Sequence, residues 1–205
     1  MADETATGPR LLLNAEPFGF GPAAATAILA GELSPFCAGL GYFGGGHTLD
    51  LQHSPPYDTI HATTGLPDGQ RLSLLRRLAP HYDLFVTAMD FEMAALARRA
   101  GLDVAVYDAL AWYWPAVPPV AFEAVLYLAQ DFFGVRERIA AEPGLEGRAV
   151  VVPPLIPPRR ARTAGDHVLV NLGACKTRSG GRQTRSPTRA SWWRRSARRT
   201  PQGHP

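Results

Sequence analysis

Seven short apolar runs, set apart by glycine- and proline-marked turns, constrain this chain more than any other feature. They lie at residues 11–13, 38–43, 57–62, 83–88, 104–107, 124–129 and 149–152. Between several of them sit segments of helical period, at 23–33, 68–79, 91–100 and 134–141. Leu72, Leu75 and Leu78 mark the apolar stripe of the second segment, and Gly101 stands where a helix C-cap is expected after the third. Strands that alternate with helices pair in parallel, because each crossover returns the chain to the same end of the sheet. The expected fold is therefore α/β, an open parallel Rossmann-like sheet with helices on both faces. Ligands of such sheets bind beyond the carboxyl ends of the strands.

The first strand–turn–helix unit, residues 10–24, occupies that position. Leu11 to Leu13 read as a strand buried on both faces, followed by a turn carrying Glu16, Pro17, Gly19 and Gly21. Pro22 then stands where a helix begins. Gly19-Phe-Gly-Pro-Ala-Ala24 formally matches a dinucleotide fingerprint. Such a site also requires an acid at the end of the second strand, and here that strand runs into Gly44-Gly-Gly-His47, with Asp50 past the turn. A nicotinamide- or flavin-dependent oxidoreductase or epimerase is thus a third-ranked reading, and a tight strand–helix turn is the plainer account of these glycines.

Other side chains at the same edge carry chemistry. Glu16 fits a general base, or a solvated loop acid beside a helix N-terminus. His47 follows three glycines whose backbone permits close approach to a ligand, and it also suits a turn. Asp90 and Asp131 follow strands and serve equally as helix N-caps. Trp112, Tyr113 and Trp114, in an ordered loop rich in proline, suit stacking on a flat ring or packing inside the protein. No HExxH, GxSxG, P-loop or paired CxxC motif occurs, so no metal site is expected.

Composition divides the chain. With 205 residues and 46% hydrophobic content, a sizeable core is possible. No apolar run reaches the roughly 18 residues of a membrane span. The first eight residues are acidic and polar, unlike a signal peptide. Cys37 and Cys175, far apart, fit free thiols in a reducing cytoplasm. The formal charge of +3 conceals an asymmetry, since residues 176–205 hold eight Arg and one Lys with no acid. Nucleic acid is consequently not an expected partner except through that tail. The domain expected at 10–153 follows a disordered segment, 1–9, and precedes a linker at 154–166. Residues 167–174, with Val170-Asn-Leu-Gly173, read as the first strand of a second α/β domain. Residues 175–205, rich in Arg, Ser, Pro and Gly, read as a disordered basic tail translated out of frame from a GC-rich gene.

With these residues in view, the chain resembles the N-terminal half of a GT-B glycosyltransferase. The resemblance rests on Ala15-Glu-Pro-Phe-Gly-Phe-Gly-Pro22, Gly44-Gly-Gly-His-Thr-Leu-Asp50, Tyr127-Leu-Ala-Gln-Asp-Phe-Phe-Gly-Val135, Val151-Val-Pro-Pro154 and Val170-Asn-Leu-Gly173. More narrowly, it is similar to the cytosylglucuronate and hydroxymethylcytosylglucuronate synthases. That likeness implies transfer of glucuronate from UDP-glucuronate to N1 of a cytosine ring, with a UDP-sugar donor, a small-molecule acceptor and no cofactor. It implies Glu16 and His47 as catalytic groups, with Phe18, Gly19, Gly21, Asp90, Trp112, Trp114, Gln130 and Asp131 around the substrates. It also implies a chain cut after the first strand of its donor domain and incomplete for donor binding. The alternative from another class is a non-catalytic α/β binding module with a basic arm.

Overall fold

The computed structural model of the chain describes residues 8–53 and 55–156. The sequence-expected strand at 167–174 and the basic tail at 175–205 lie outside the described residues, as does most of the linker. Seven strands form one sheet: β1 (Arg10–Ala15), β2 (Gly39–Gly44), β3 (Thr59–Ala62), β4 (Leu84–Ala88), β5 (Val104–Asp108), β6 (Leu126–Gln130) and β7 (Ala149–Val152). Every described pairing is parallel, in the order β3-β2-β1-β4-β5-β6-β7. The helices are α1 (Phe20–Leu33), α2 (Asp68–Leu78), α3 (Phe91–Arg99) and α4 (Val135–Ala140). The expected open parallel sheet with helices on both faces is what the chain forms.

Local chemistry explains the elements. In β1, five successive residues are buried, because helices cover both faces of a central parallel strand. Strand β1 is longer than the run 11–13, extending through Asn14 and Ala15, since Asn14 is polar yet fully partnered inside. Helix α1 starts before Pro22, which falls in its first turn, where a missing N–H costs no intrahelical bond. Asp90 caps α3 by accepting the Met93 amide at 3.0 Å, and Gly101 takes a left-handed φ of 94° just past its end.

Alternation along the strands sends successive side chains to opposite faces. Leu12, Phe43, Phe85, Val104 and Val106 point to one face and pack under α2, α3 and the 3₁₀ turn Pro119–Phe122. Leu11, Leu13, Tyr42, Val86 and Ala105 point to the other, with Ala30 of α1. Each large side chain taken fully out of water contributes about 1.5–3 kcal/mol before entropy is charged against it. The first face is the larger core.

A buried polar thread stitches the centre together. Asn14 Nδ2 donates to the Phe43 carbonyl at 2.8 Å, and Asn14 Oδ1 accepts from Thr87 Oγ1 at 2.7 Å. Thr26 of α1 donates to the Asn14 carbonyl at 3.1 Å, and Thr87 Oγ1 accepts the Asp90 amide at 3.3 Å. Two helices and three strands are thereby held in one register at the carboxyl edge.

Candidate functional site

The strand order reverses between β1 and β4, so the connections leaving these two strands run in opposite directions and open a crevice above them. Glu16 is the first residue past β1, and its amide donates to the Ala88 carbonyl at the end of β4, at 2.9 Å. Its backbone is therefore rooted at the reversal point itself. The residue after Ala88, Met89, has φ of 65°, a left-handed conformation that a non-glycine side chain adopts at a cost of order 1–3 kcal/mol. Two anchors hold it there: its amide donates to the Tyr107 carbonyl at 2.9 Å, and Asp90 behind it is fixed as the α3 cap.

A cavity of about 440 Å³ opens beside this point, between α1 and the ends of β5 and β6. Gly21, Ala24 and Ile28 form one wall, in steps of three or four that place them on one side of α1, with Phe18 from the turn before the helix. Met89, Leu110, Tyr107 and Gln130 form the other side. Among the described residues its lining carries no charged side chain. Gly21 has no left-handed φ to serve, and a Cβ built on it meets nothing within 4 Å. Its missing side chain leaves the cavity open.

The remaining sequence-expected residues fall into groups. His47 lies in the 3₁₀ turn Gly46–Leu51, with Nε2 3.2 Å from the Gly19 carbonyl and its ring edge-on to Phe20 at 5.1 Å. A carbonyl only accepts, so this contact assigns the proton to Nε2 and leaves Nδ1 as the basic nitrogen. The glycines before it have separate reasons. Gly46 takes φ of 63°, and a Cβ at Gly45 would come within 2.7 Å of the Thr64 amide. The close approach expected of that run is made by the chain to itself.

Asp131 is gripped by Arg136, with Nη2 at 2.5 Å and Nε at 3.2 Å. Trp114 is half-buried, and its Nε1 donates to the Asp108 carboxylate at 3.0 Å, while its ring meets Phe91 edge-on at 6.0 Å. Trp112 is exposed and packs on Phe132 at 5.0 Å, with Phe132 in turn against Phe133 at 4.6 Å. Thus Phe18, Gly21 and Gln130 share the cavity, Gly19 joins His47, and Glu16 stands at the reversal point. Asp90, Trp112, Trp114 and Asp131 lie outside the cavity's lining.

Several residues that organise this edge were not singled out from the sequence. Asp108, fully buried at the end of β5, accepts from the Leu110 amide at 2.8 Å, from Trp114, and from the Tyr127 hydroxyl at 2.7 Å. Burial pushes its carboxyl up, and these hydrogen bonds pull it part of the way back. Burial beside Asp108 pushes the Tyr127 hydroxyl up as well. Tyr107, Met89, Asn14 and Thr87 complete the set. The available signal was a polar residue ending or interrupting a wholly apolar run, as Asn14 and Asp108 do. Among the described residues no cluster of metal-ligating side chains occurs, and no helix is long and apolar enough to cross a membrane.

No protein-family model and no curated sequence matches the chain. Solved structures do. The described sheet has the fold of the GT-B glycosyltransferases. One match is Phytolacca americana UGT2 in complex with UDP-2-fluoro-glucose and pterostilbene, at TM-score 0.53 and 14% identity, covering 73% of this chain and 55% of that one. Another is a Polygonum tinctorium UDP-glucosyltransferase capable of glucosylating indoxyl, in complex with 3,4-dichloroaniline, at TM-score 0.52 and 16% identity. It covers 74% of this chain and 54% of that one. The chain therefore spans about half the length of the solved structures it matches.

Proposed function

We propose that this chain supplies the acceptor-shaping lobe of a glycosyltransferase that uses a UDP-sugar donor. The finer reading is that glucuronate passes from UDP-glucuronate to N1 of cytosine or hydroxymethylcytosine, with Glu16 as the base. The observation that carries the reading is a glutamate whose backbone is anchored at the reversal point of a GT-B sheet, where an apolar cavity of about 440 Å³ opens. The matched plant enzymes, crystallised with UDP-2-fluoro-glucose and pterostilbene or with 3,4-dichloroaniline, support a flat acceptor and a UDP-sugar donor.

In this scheme the Glu16 carboxylate takes the N1 proton as N1 attacks the anomeric carbon. The bond from that carbon to the diphosphate oxygen breaks, and UDP leaves with the electron pair. His47, held by Gly19 through Nε2, keeps Nδ1 as an acceptor available to orient the substrates. Trp112 and the phenylalanines at 132 and 133 stand two or three residues beyond Leu110 and Gln130, where they border a ring entering the cavity. The expected redox alternative loses ground, since β2 ends at Gly44 and the next acid, Asp50, is exposed in the following turn. The binding-module alternative rests on the basic tail, outside the described residues.

The test is cytosine binding by the full chain, followed by titration calorimetry, beside cytosine-dependent release of UDP from UDP-glucuronate. Support is saturable cytosine binding that Gly21→Leu abolishes by filling the cavity. Where UDP release occurs, E16Q lowers it about 100-fold or more, the share a general base commonly carries. Absence of cytosine binding overturns the cytosine reading, and UDP release that E16Q leaves intact removes Glu16 from the base role.

A further inference from the structure

We propose that the Gln130 carboxamide determines acceptor specificity by donating to a carbonyl oxygen on a flat ring held in the cavity. This rests on the acceptor-lobe reading above and narrows it to a substrate class, a planar, uncharged ring carrying an exocyclic oxygen.

The orientation of the amide is set from behind. The Tyr107 hydroxyl donates to Gln130 Oε1 at 2.6 Å. The amide oxygen can only accept, so the phenolic proton lies in this bond. The amide must then turn its oxygen to Tyr107 and its NH2 away. No described residue accepts from that NH2. A side chain of this kind, half-buried and locked by a tyrosine, is a preorganised donor with one direction left to serve.

The rest of the lining selects what accepts from it. The described walls are apolar apart from Tyr107 and Gln130, so a polyol packed against them would leave hydroxyls unpaired at about 1–3 kcal/mol each. Among the described residues the lining holds no Lys, Arg or His, so these walls offer a carboxylate or phosphate no counter-charge for the hydration it would lose. Between Phe18 and Ile28 the α1 wall is kept low by Gly21, Ala24 and Ala25, which suits a ring lying flat along the helix. A planar lactam or cyclic urea, apolar on its faces and carrying a carbonyl on its edge, satisfies all three conditions.

Two matched pairs of probes isolate the oxygen: cytosine against 4-aminopyrimidine, and 2-pyridone against pyridine. Titration calorimetry on the full chain is expected to show each carbonyl-bearing ring binding about tenfold tighter than its partner, the worth of one good hydrogen bond. Gln130→Glu and Gln130→Met, each checked for an unchanged melting temperature, should erase that ratio by weakening the carbonyl ring alone. Tyr107→Phe should shrink the ratio by freeing the amide to rotate. Equal binding within both pairs, a ratio that survives in both Gln130 variants, or no binding by any of the carbonyl rings overturns the proposal. A preference confined to the pyridone pair would retire cytosine and keep the carbonyl rule. Cytosine that binds with the same ratio in wild type and variants would keep the acceptor reading and retire Gln130.

Discussion

Tyr107 and Asp108 are neighbours in β5, and strand alternation sends them to opposite faces of one sheet. Asp108 enters the larger core and meets three donors, which leave it sealed and without access to solvent. Tyr107 enters the side that α1 covers, and its partner Gln130 keeps a donor turned into open space. The difference follows from helix coverage. One face carries α2, α3 and the turn at 119–122, whereas on the other α1 reaches across β1 and β4, and among the described residues no helix lies above the ends of β5 to β7. Half-buried Leu126 and Leu128, and Val150 at 48% exposure, line the uncovered part. Polar groups under a complete layer stabilise the fold, and polar groups beside an incomplete layer remain available for a ligand.

Substitutions on the two faces put this contrast at risk. The largest effect is expected from Phe85→Ala in the covered core, a loss of about 3–5 kcal/mol in urea unfolding. Leu126→Ala on the other face should cost clearly less, under about 2 kcal/mol. Equal costs would break the comparison. Next comes Asn14→Ala, which strands the Phe43 carbonyl and the Thr87 hydroxyl inside the protein. About 1–3 kcal/mol is expected, read by the same unfolding curves.

Asp108 gives a pH test of the sealed side. Its folded carboxyl lies above the ordinary value of 3.8, so just above that pH the folded chain retains a proton that the unfolded chain has released. Its own contribution to stability is greatest at the acid end and falls as pH rises through that window. Asp108→Asn should remove this downward slope from the stability profile. A difference profile that rises with pH there would contradict the burial argument. Smallest of all, Val150→Thr on the uncovered face should move stability by no more than about 0.5 kcal/mol in thermal unfolding. A larger loss would mean that this face is covered after all.

How far the sequence could be read depends on the range over which each signal acts. The strands and helices of the described region were legible because hydrophobic period, Pro22 in a first turn, Asp90 before a helix and Gly101 after one are local matters of sterics and hydrogen bonding. Edges shifted by a few residues where tertiary packing extended or trimmed a strand. Strand β1 gained Asn14 and Ala15, and β6 began at Leu126 instead of 124. Glu16 was legible as an edge residue, since a parallel sheet puts every strand-to-helix turn at the same end.

What tertiary structure alone decided is the strand order, and with it which turns become neighbours. That order put Glu16 against Ala88, turned Met89 through its left-handed bend, and set α1 opposite Tyr107 and Gln130. These partners are separated by dozens to more than a hundred residues, and no local propensity encodes their meeting. It arises when the whole sheet buries its apolar faces at once, and the cavity is the space which that packing leaves unfilled.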